Sequence, residues 1–333
     1  MTRQLRLNDI TVEVTNRCHL RCRRCDIWRE KDLHEIPLKD LLSTWDRLFR
    51  SFSVNYVSVT GGEPFLHPEI SGILRHLAVF KATRKIIAFG VYTNGACFEK
   101  IAKVLKENHP YLGGMGLGIS VDGSQKMHDY LRGRHAYERT RKTLDLLRRD
   151  HRGLFKVEIK FTGSEVNSGE LFEVYALARE YGFRFTPKLA EQNVAAYYHR
   201  AGPAAAVPPA GGGHDHVSLF RSQLMLVLKR EAHKPSKLVD VKMLRLLLRL
   251  AEGGVEAIRK CETPARTLFI TSRGDVHPCL YMPPAGTIAD GQFCSRAFLT
   301  ARNARIKKGA RAACPGCFAY HGFLKDFNAE HLA

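Results

Sequence analysis

Three cysteines near the start of the chain constrain its fold and chemistry more than any other feature. Cys18, Cys22 and Cys25 are spaced four and three residues apart and follow the apolar stretch 10–14. Three thiolates on one loop can bind three irons of a cubic iron–sulfur cluster, which leaves the fourth iron open for chemistry. Zinc is the alternative, but His19 lies inside the loop and not at the spacing of a zinc finger.

The size and charge of the chain narrow its class further. Its 333 residues are enough for one large domain and a smaller one, and 44% of them are hydrophobic. The net charge of +19 favours an anionic partner, such as nucleic acid, an acidic peptide, a phosphorylated small molecule or a membrane surface. The basic residues are spread along the chain, so a solvated surface explains them equally well and nucleic acid is not favoured.

The nine cysteines are expected to be metal ligands and not disulfides. No secretory signal precedes them, and the most apolar stretch, 243–250, is interrupted by two arginines. We therefore expect a cytoplasmic protein without a membrane span.

Alternating strand and helix patterns predict parallel βα units over the first 190 residues, with sites at the carboxyl ends of the strands. Residues 201–213 are rich in Ala, Gly and Pro and predict a flexible loop. The expected organisation is a core at 1–190, a flexible loop with a basic helical segment at 191–258, and a cysteine-rich domain at 259–333. The predicted strands are 8–16, 54–60, 85–92, 116–121, 156–161 and 184–189, and the predicted helices are 37–52, 67–82, 97–107, 135–150, 168–181 and 217–258.

A second motif, Gly61-Gly62-Glu63-Pro64, follows the second predicted strand. Glycines let a backbone approach a ligand closely and proline fixes the turn, although an ordinary turn has the same composition. Together with the cysteine spacing, this motif resembles the signature of the radical S-adenosylmethionine (SAM) superfamily. That resemblance implies a partial (β/α)6 barrel and a [4Fe–4S] cluster on Cys18, Cys22 and Cys25, whose open iron binds SAM. It also implies an electron donor such as flavodoxin or ferredoxin.

The same resemblance implies a set of SAM-binding residues at the mouth of the barrel. Ser120 would contact the ribose or carboxylate of SAM, and Asp122 would be structural. The Arg132 guanidinium would pair with the SAM carboxylate or, alternatively, form a surface ion pair. Arg24 stands where the family usually has an aromatic residue that packs near the adenine of SAM. Trp28, three residues after Cys25, is the candidate to make that adenine contact instead. The full candidate set is Gly61, Gly62, Glu63, Pro64, Ser120, Arg132 and Asn167.

A second group of cysteines lies near the end of the chain, with the pattern C-x12-G-x4-C around Gly274 and a later CxxC pair. This pattern resembles the twitch form of the SPASM extension, which implies a β-hairpin and one auxiliary [4Fe–4S] cluster. Structural zinc remains an alternative. Cys294 is an additional cysteine here, and Cys97 is expected to be a buried thiol. The implied auxiliary ligands are Cys261, Cys279, Cys314 and Cys317.

The resemblance implies reductive cleavage of SAM to a 5′-deoxyadenosyl radical and hydrogen abstraction from a peptide or small anionic metabolite, as a net oxidation or maturation. An RNA-modifying radical SAM enzyme is one alternative, although no RNA-binding module is recognisable. The other is a non-catalytic, zinc-stabilised nucleic-acid-binding protein, against which the Gly-Gly-Glu-Pro motif argues.

Overall fold

A computed structural model describes residues 5–151, 153–190, 216–253, 266–279, 284–291 and 293. The strands in this part of the chain are β1 (Leu5–Glu13), β2 (Phe52–Thr60), β3 (Ile86–Thr93), β4 (Gly116–Ser120), β5 (Lys156–Gly163), β6 (Arg184–Leu189), β7 (Thr267–Ile270), β8 (Asp275–His277) and β9 (Gly286–Thr287). The helices are α1 (Leu38–Ser51), α2 (Ile70–Ala82), α3 (Phe98–Asn108), α4 (Gln125–Arg132), α5 (Ala136–Asp150), α6 (Leu171–Tyr181), α7 (His216–His233) and α8 (Val241–Gly253).

The strands form one sheet in the order β6-β5-β4-β3-β2-β1-β7-β8-β9, and β1 to β6 are parallel. Because consecutive strands are neighbours and βα crossovers are right-handed, the connecting helices lie on one face of the sheet. This arrangement confirms the predicted partial (β/α)6 barrel.

Strand β5 illustrates how the sequence separates the two faces. Val157, Ile159 and Phe161 are buried in the hydrophobic core, whereas the residues between them are only half-buried. Since side chains alternate across a strand, the polar Glu158 and Lys160 lie on the inner face of the barrel. The inner face is therefore polar enough to receive a ligand.

Two helical features differ from the prediction. Helix α4 was not predicted, because its eight residues bury only His128 and Leu131 and carry little periodicity. The basic stretch predicted as one helix is two, α7 and α8, separated near Pro235. The Glu231 carboxylate accepts the Ser236 backbone N–H at 2.7 Å, which stabilises that break.

The sheet continues past the predicted boundary at residue 259. Strand β7 pairs in parallel with β1, and β7 and β8 form an antiparallel hairpin. Gly274 has φ +88° in the hairpin turn, a conformation that favours glycine. Among the helices that the structure describes, none has the length and apolarity needed to cross a bilayer.

Candidate metal centre and cofactor site

The cysteine loop starts where β1 ends, and the turn after β2 holds its first residues. The Gly62 N–H donates to the Thr15 carbonyl at 2.7 Å, and the Glu63 N–H donates to the Arg17 carbonyl at 2.8 Å. These two bonds extend the parallel β1–β2 pairing up to the residue before Cys18. The backbone of this turn therefore positions Cys18, the first cysteine of the loop.

Both glycines of this turn are required by the close approach of the two backbones. A Cβ atom on Gly61, which has φ +149°, would lie 2.3 Å from the Thr15 carbonyl oxygen. A Cβ atom on Gly62 would lie 2.3 Å from the Arg17 carbonyl oxygen. Real Cβ atoms do not approach a backbone oxygen so closely, so any side chain here displaces the start of the cysteine loop.

The three thiols lie together on a loop that is partly apolar. Cys18 and Cys22 pack against a small buried cluster of Leu20, Ala96 and Ala136. Burial raises the pKa of the Cys18 thiol to about 12, and Glu63 and the other two thiols add to the rise. Three thiolates close together in an apolar setting need a bound group whose positive charge compensates their negative charge, as metal ions do.

The donor set fits a cluster better than a single ion. Within the described residues, no group of three or more His, Cys, Asp or Glu side chains could hold a single metal ion. Ligands of one zinc ion must converge at about 2.0 to 2.3 Å. Three neighbouring thiols match the protein ligands of a four-iron cluster with one open iron.

Glu63 connects the β2 turn to the end of β3. Its buried carboxylate accepts the Thr93 hydroxyl at 2.7 Å and the Asn94 backbone N–H at 2.9 Å. Burial raises its pKa to about 6, and these hydrogen bonds oppose the rise. The side-chain amide nitrogen of Asn94 lies 3.9 Å from the Cys18 sulfur. Asn94 therefore links the Glu63 carboxylate to the Cys18 thiol.

Arg132 and Asp122 form a buried ion pair on the other side of the loop, with Nε 2.6 Å from Oδ2. Burial opposes ionisation of the Asp122 carboxyl, but the guanidinium outweighs it and the pKa is lowered. Burial also opposes the positive charge of Arg132. The Asp122 carboxylate and, to a smaller extent, the Cys22 thiol outweigh burial and raise the pKa of Arg132. Arg132 is thus an internal cation beside the thiols, and it is not a surface ion pair.

Asn167 is engaged entirely inside the protein. Its amide oxygen accepts the backbone N–H and the hydroxyl of Ser164 at 2.8 and 2.6 Å. Its amide nitrogen donates to the carbonyls of Asp122 at 3.0 Å and Thr162 at 3.1 Å. An asparagine amide has two donor and two acceptor positions, so none remains for a ligand in this arrangement.

The comparison with known proteins identifies the barrel. Residues 12–159 match the sequence profile of the Radical SAM superfamily. This part of the chain is a radical SAM domain. The match runs from β1 through the cysteine loop into β5, and so includes the thiols, the glycine turn and the Asp122–Arg132 pair. The cofactors of a radical SAM domain are a [4Fe–4S] cluster and SAM, as the sequence predicted.

Two curated proteins illustrate the similarity in sequence. AlbA, the antilisterial bacteriocin subtilosin biosynthesis protein of Bacillus subtilis (strain 168), is 33% identical over 175 residues, which are 52% of this chain and 37% of AlbA. GTP 3',8-cyclase of Aquifex aeolicus (strain VF5) is 25% identical over 183 residues, which are 54% of this chain and 46% of that enzyme. The similarity therefore spans less than half the length of either relative.

Two solved structures share the fold. SuiB of Streptococcus suis bound to S-adenosylmethionine has a TM-score of 0.64 at 16% identity, covering 93% of this chain and 68% of SuiB. AnSMEcpe with bound AdoMet and Cp18Cys peptide has a TM-score of 0.60 at 15% identity, covering 97% of each chain. At 16% and 15% identity, the likeness to these two structures shows a shared fold and nothing further.

Other predicted residues of the radical SAM domain are placed as follows. Ser120 is half-buried at the end of β4, and its hydroxyl makes no hydrogen bond to another described residue. Arg24 forms an ion pair with Glu165, which follows β5. The Trp28 indole N–H donates to the Cys22 carbonyl at 3.2 Å and braces the loop. Cys97 is buried, as expected.

Only one member of the second cysteine group is in the described part. Cys279 is half-buried and lies two residues after β8, at the end of the hairpin. The predictions for Cys261, Cys294, Cys314 and Cys317 lie outside the described residues.

Sequence reasoning missed Asn94 as a contact of the cysteine loop. Its position in the Tyr92-Thr93-Asn94-Gly95 turn after β3 was the available signal, because β3 is the neighbour of β2 and both strands end at the same edge. No role was predicted for His128 either. The Nδ1 atom of His128 accepts the Asp122 backbone N–H at 3.2 Å. Burial and, to a smaller extent, the Arg132 charge lower the pKa of His128 to about 4, so its imidazole is neutral at pH 7.

Proposed function

We propose that this chain is a radical SAM enzyme that modifies a peptide. The observation that carries the proposal is the group of three thiols at the carboxyl edge of the barrel, beside the buried Arg132 cation. When bound, the cluster and SAM supply a 5′-deoxyadenosyl radical that can abstract a hydrogen atom from a substrate carbon. The protein contributes positioning and exclusion of water.

The relatives support a peptide as the substrate. AlbA takes part in the biosynthesis of the bacteriocin subtilosin, and SuiB has been solved bound to the precursor peptide SuiA. A small anionic metabolite is the second candidate, since GTP 3',8-cyclases also match the barrel region. The match of residues 12–159 to the radical SAM profile argues against a non-catalytic zinc protein.

Each side chain at the mouth has a proposed role consistent with its contacts. Cys18, Cys22 and Cys25 would hold the cluster. Arg132 uses its Nε for Asp122, which leaves the other guanidinium nitrogens to bind the SAM carboxylate. The Ser120 hydroxyl would bind a polar group of SAM.

The Gly61–Pro64 turn would contribute backbone acceptors to the SAM amino group, because its Gly62 and Glu63 N–H groups are already used by the cysteine loop. The second cysteine group, Cys261, Cys279, Cys314 and Cys317, would hold one auxiliary cluster without an open iron. Such a cluster can accept an electron from the substrate, which suits a net two-electron oxidation.

The test is to reconstitute the full chain anaerobically and measure iron, SAM cleavage and peptide product. We expect about eight irons per chain, from two four-iron clusters, and 5′-deoxyadenosine on addition of dithionite and SAM. Cys22→Ala should lose about four irons and all cleavage. The control is Cys97→Ala, which removes a buried thiol outside the two predicted cysteine groups. This variant should keep its iron content and its SAM cleavage. A colourless zinc protein, or cleavage retained by Cys22→Ala, would contradict the proposal.

A further inference from the structure

The inner face of the barrel carries a lysine whose ammonium is only partly enclosed. Lys160 lies on β5, and its side chain is 28% exposed. Its ammonium lies 2.7 Å from the carboxylate of Glu158, two residues earlier on the same strand. Within the described part of the chain, this carboxylate is the only one at ion-pair distance from Lys160. Since an ammonium has three N–H donors, this ion pair leaves donors for a ligand.

Gly118 on the neighbouring strand β4 gives the Lys160 side chain its room. A Cβ atom on Gly118 would lie 2.9 Å from the Cε atom of Lys160 and 2.5 Å from the Cδ1 atom of Tyr92. The lysine therefore passes over the glycine, and its ammonium lies 4.8 Å from the ring centroid of Tyr92 on β3. A ring face stabilises a cation without neutralising it, so Lys160 is held in place with its charge intact.

The carboxylate beside Lys160 is shared with other groups. The Glu158 carboxylate also accepts the hydroxyl of Thr186 on β6, where Arg184 is paired in register with Glu158. Burial opposes ionisation of Glu158, but Lys160, Thr186 and Arg184 outweigh it and lower the pKa of this carboxyl. One carboxylate thus faces two cations, and the β5–β6 side of the barrel interior is positive.

The negative charges of the interior lie on β1 and are enclosed. Asp9 and Glu13 are each 1% exposed. The Asp9 carboxylate accepts the Ser58 hydroxyl at 3.0 Å, and the Glu13 carboxylate accepts the Ser272 hydroxyl at 3.2 Å. A group that enters the barrel therefore meets the cation of Lys160 more readily than either carboxylate. In this partly desolvated space the attraction for a negative group is stronger than in water.

Tyr56 limits how deep such a group can go. The Tyr56 hydroxyl would lie 2.2 Å from a Cβ atom on Gly90 and 2.5 Å from one on Gly116, so it occupies the space above both glycines. Gly116 is paired with Lys156, four residues before Lys160 on β5. A side chain that enters from the carboxyl edge of the sheet therefore reaches Lys160 before it reaches Tyr56.

Lys160 also lies next to the region proposed for SAM. Ser120, which would bind a polar group of SAM, is paired in register with Lys160. Arg132, the proposed partner of the SAM carboxylate, lies on α4, beyond the carboxyl end of β4. The SAM carboxylate thus has a partner elsewhere, and the ammonium of Lys160 is left for a second molecule.

We propose that Lys160 is a specificity-determining residue that binds a carboxylate of the substrate peptide, and this inference rests on the proposed function. The carboxylate belongs to the residue that enters the barrel, as an acidic side chain or as the C-terminus of the peptide. Its binding forms a charge-assisted hydrogen bond and involves no covalent step. The bound carboxylate orients the carbons next to it beside the SAM region, which is the positioning that hydrogen abstraction needs.

The test is isothermal titration calorimetry of the anaerobically reconstituted, SAM-loaded full chain with three short peptides. Acetyl-Ala-Glu-Ala-amide has a side-chain carboxylate, acetyl-Ala-Gln-Ala-amide has none, and acetyl-Ala-Gln-Ala with a free C-terminus has only the terminal one. We expect at least one carboxylate peptide to bind about tenfold more tightly than the neutral peptide. The comparison of the two carboxylate peptides identifies which source Lys160 prefers.

The decisive variant is Lys160→Gln with Glu158→Gln, which removes the ion pair without leaving either charge uncompensated. The preference for a carboxylate should be lost in this variant and retained in Lys160→Arg. The matched control is Lys103→Gln with Glu107→Gln, which removes an exposed Lys–Glu pair on α3 with Nζ 3.9 Å from Oε1. This control should keep the preference of the wild type.

Three results would overturn the inference. The first is equal binding of the three peptides to the wild type, undetectable binding included. The second is a preference that survives in the variant without Lys160 and Glu158. The third is a loss of SAM affinity in that variant with an unchanged peptide preference, because Lys160 would then bind SAM.

Dithionite-driven SAM cleavage by the wild type tests the proposed function separately. Absence of cleavage would contradict that function, whatever the peptides do. Cleavage without a carboxylate preference would contradict this inference alone.

Discussion

The cysteine loop is supported from two sides by different physics. On the β2 side, Gly61 and Gly62 bring one backbone against another, and the contacts are steric and uncharged. On the α4 side, the support is an ion pair between Asp122 and Arg132, with side chains only 10% and 16% exposed. The backbone contact sets where the loop begins, and the ion pair sets the charge beside its thiols.

The difference teaches how each side should respond to change. A close backbone contact has no tolerance for an added atom, because neither backbone can move without breaking the β1–β2 pairing. A buried ion pair tolerates changes of shape but not the loss of one partner, which leaves an uncompensated charge. Substitutions on the two sides should therefore fail in distinguishable ways.

Gly62→Ala should have the largest effect. The new Cβ would lie 2.3 Å from the Arg17 carbonyl oxygen, so the segment leading to Cys18 must move. We expect loss of about four irons per chain and of SAM cleavage, measured by iron analysis and 5′-deoxyadenosine formation.

The matched control is Gly113→Ala, where the nearest atom to a new Cβ is 3.9 Å away, in ordinary contact. This variant should keep its full iron content. If Gly62→Ala also keeps it, the β2 turn does not position the cysteine loop and the comparison fails on that side.

Asp122→Asn should have the next largest effect, seen in stability more than in iron content. The change keeps the shape but leaves Arg132 without its carboxylate, which typically costs about 3 kcal/mol in the free energy of unfolding. Urea unfolding of the metal-free protein at pH 7 measures it. Asp150→Asn removes an exposed carboxylate paired with Arg149 and should leave the stability unchanged.

The pH dependence sharpens this prediction. Arg132 lowers the pKa of the folded Asp122 carboxyl, so the stabilisation is present above the ordinary pKa of aspartate and is lost as the pH falls through the folded value. The difference between wild type and Asp122→Asn should therefore shrink in acid. A difference independent of pH would mean that the ion pair is not the source of the stability.

The two sides also differ in how much the sequence could predict. Gly61 and Gly62 were expected to let the backbone approach a ligand closely, and the structure shows that they approach another part of the backbone. The approaching group is the chain before Cys18, and that depends on β1–β2 register. Strand β1 itself starts earlier than predicted, at Leu5, because pairing with Phe52 extends it beyond its apolar residues.

The α4 side was harder to predict, since its roles depend on partners distant in the chain. Asn167 was expected to contact SAM, but its four hydrogen-bonding positions are taken by Asp122, Thr162 and Ser164. The contact of Asn94 with Cys18 was not predicted, because it joins residues that follow two different strands. Periodicity predicts strands and faces, but it does not show which polar groups satisfy each other.

Asn94→Asp should have the smallest effect, confined to the reduction potential of the cluster. The amide nitrogen 3.9 Å from the Cys18 sulfur becomes a carboxylate oxygen, so a donor near the thiolate is replaced by negative charge. Both changes disfavour the reduced cluster and should lower its midpoint potential, by roughly 60 mV for a tenfold change in a one-electron couple. A redox titration followed by electron paramagnetic resonance measures the shift. Thr143→Val is the control, because it removes a 2.7 Å hydrogen bond to the Gly95 carbonyl in the same turn without touching the sulfur. An equal shift in both variants would mean that the turn acts by loosening the loop, whereas a shift in Asn94→Asp alone ties the potential to the amide.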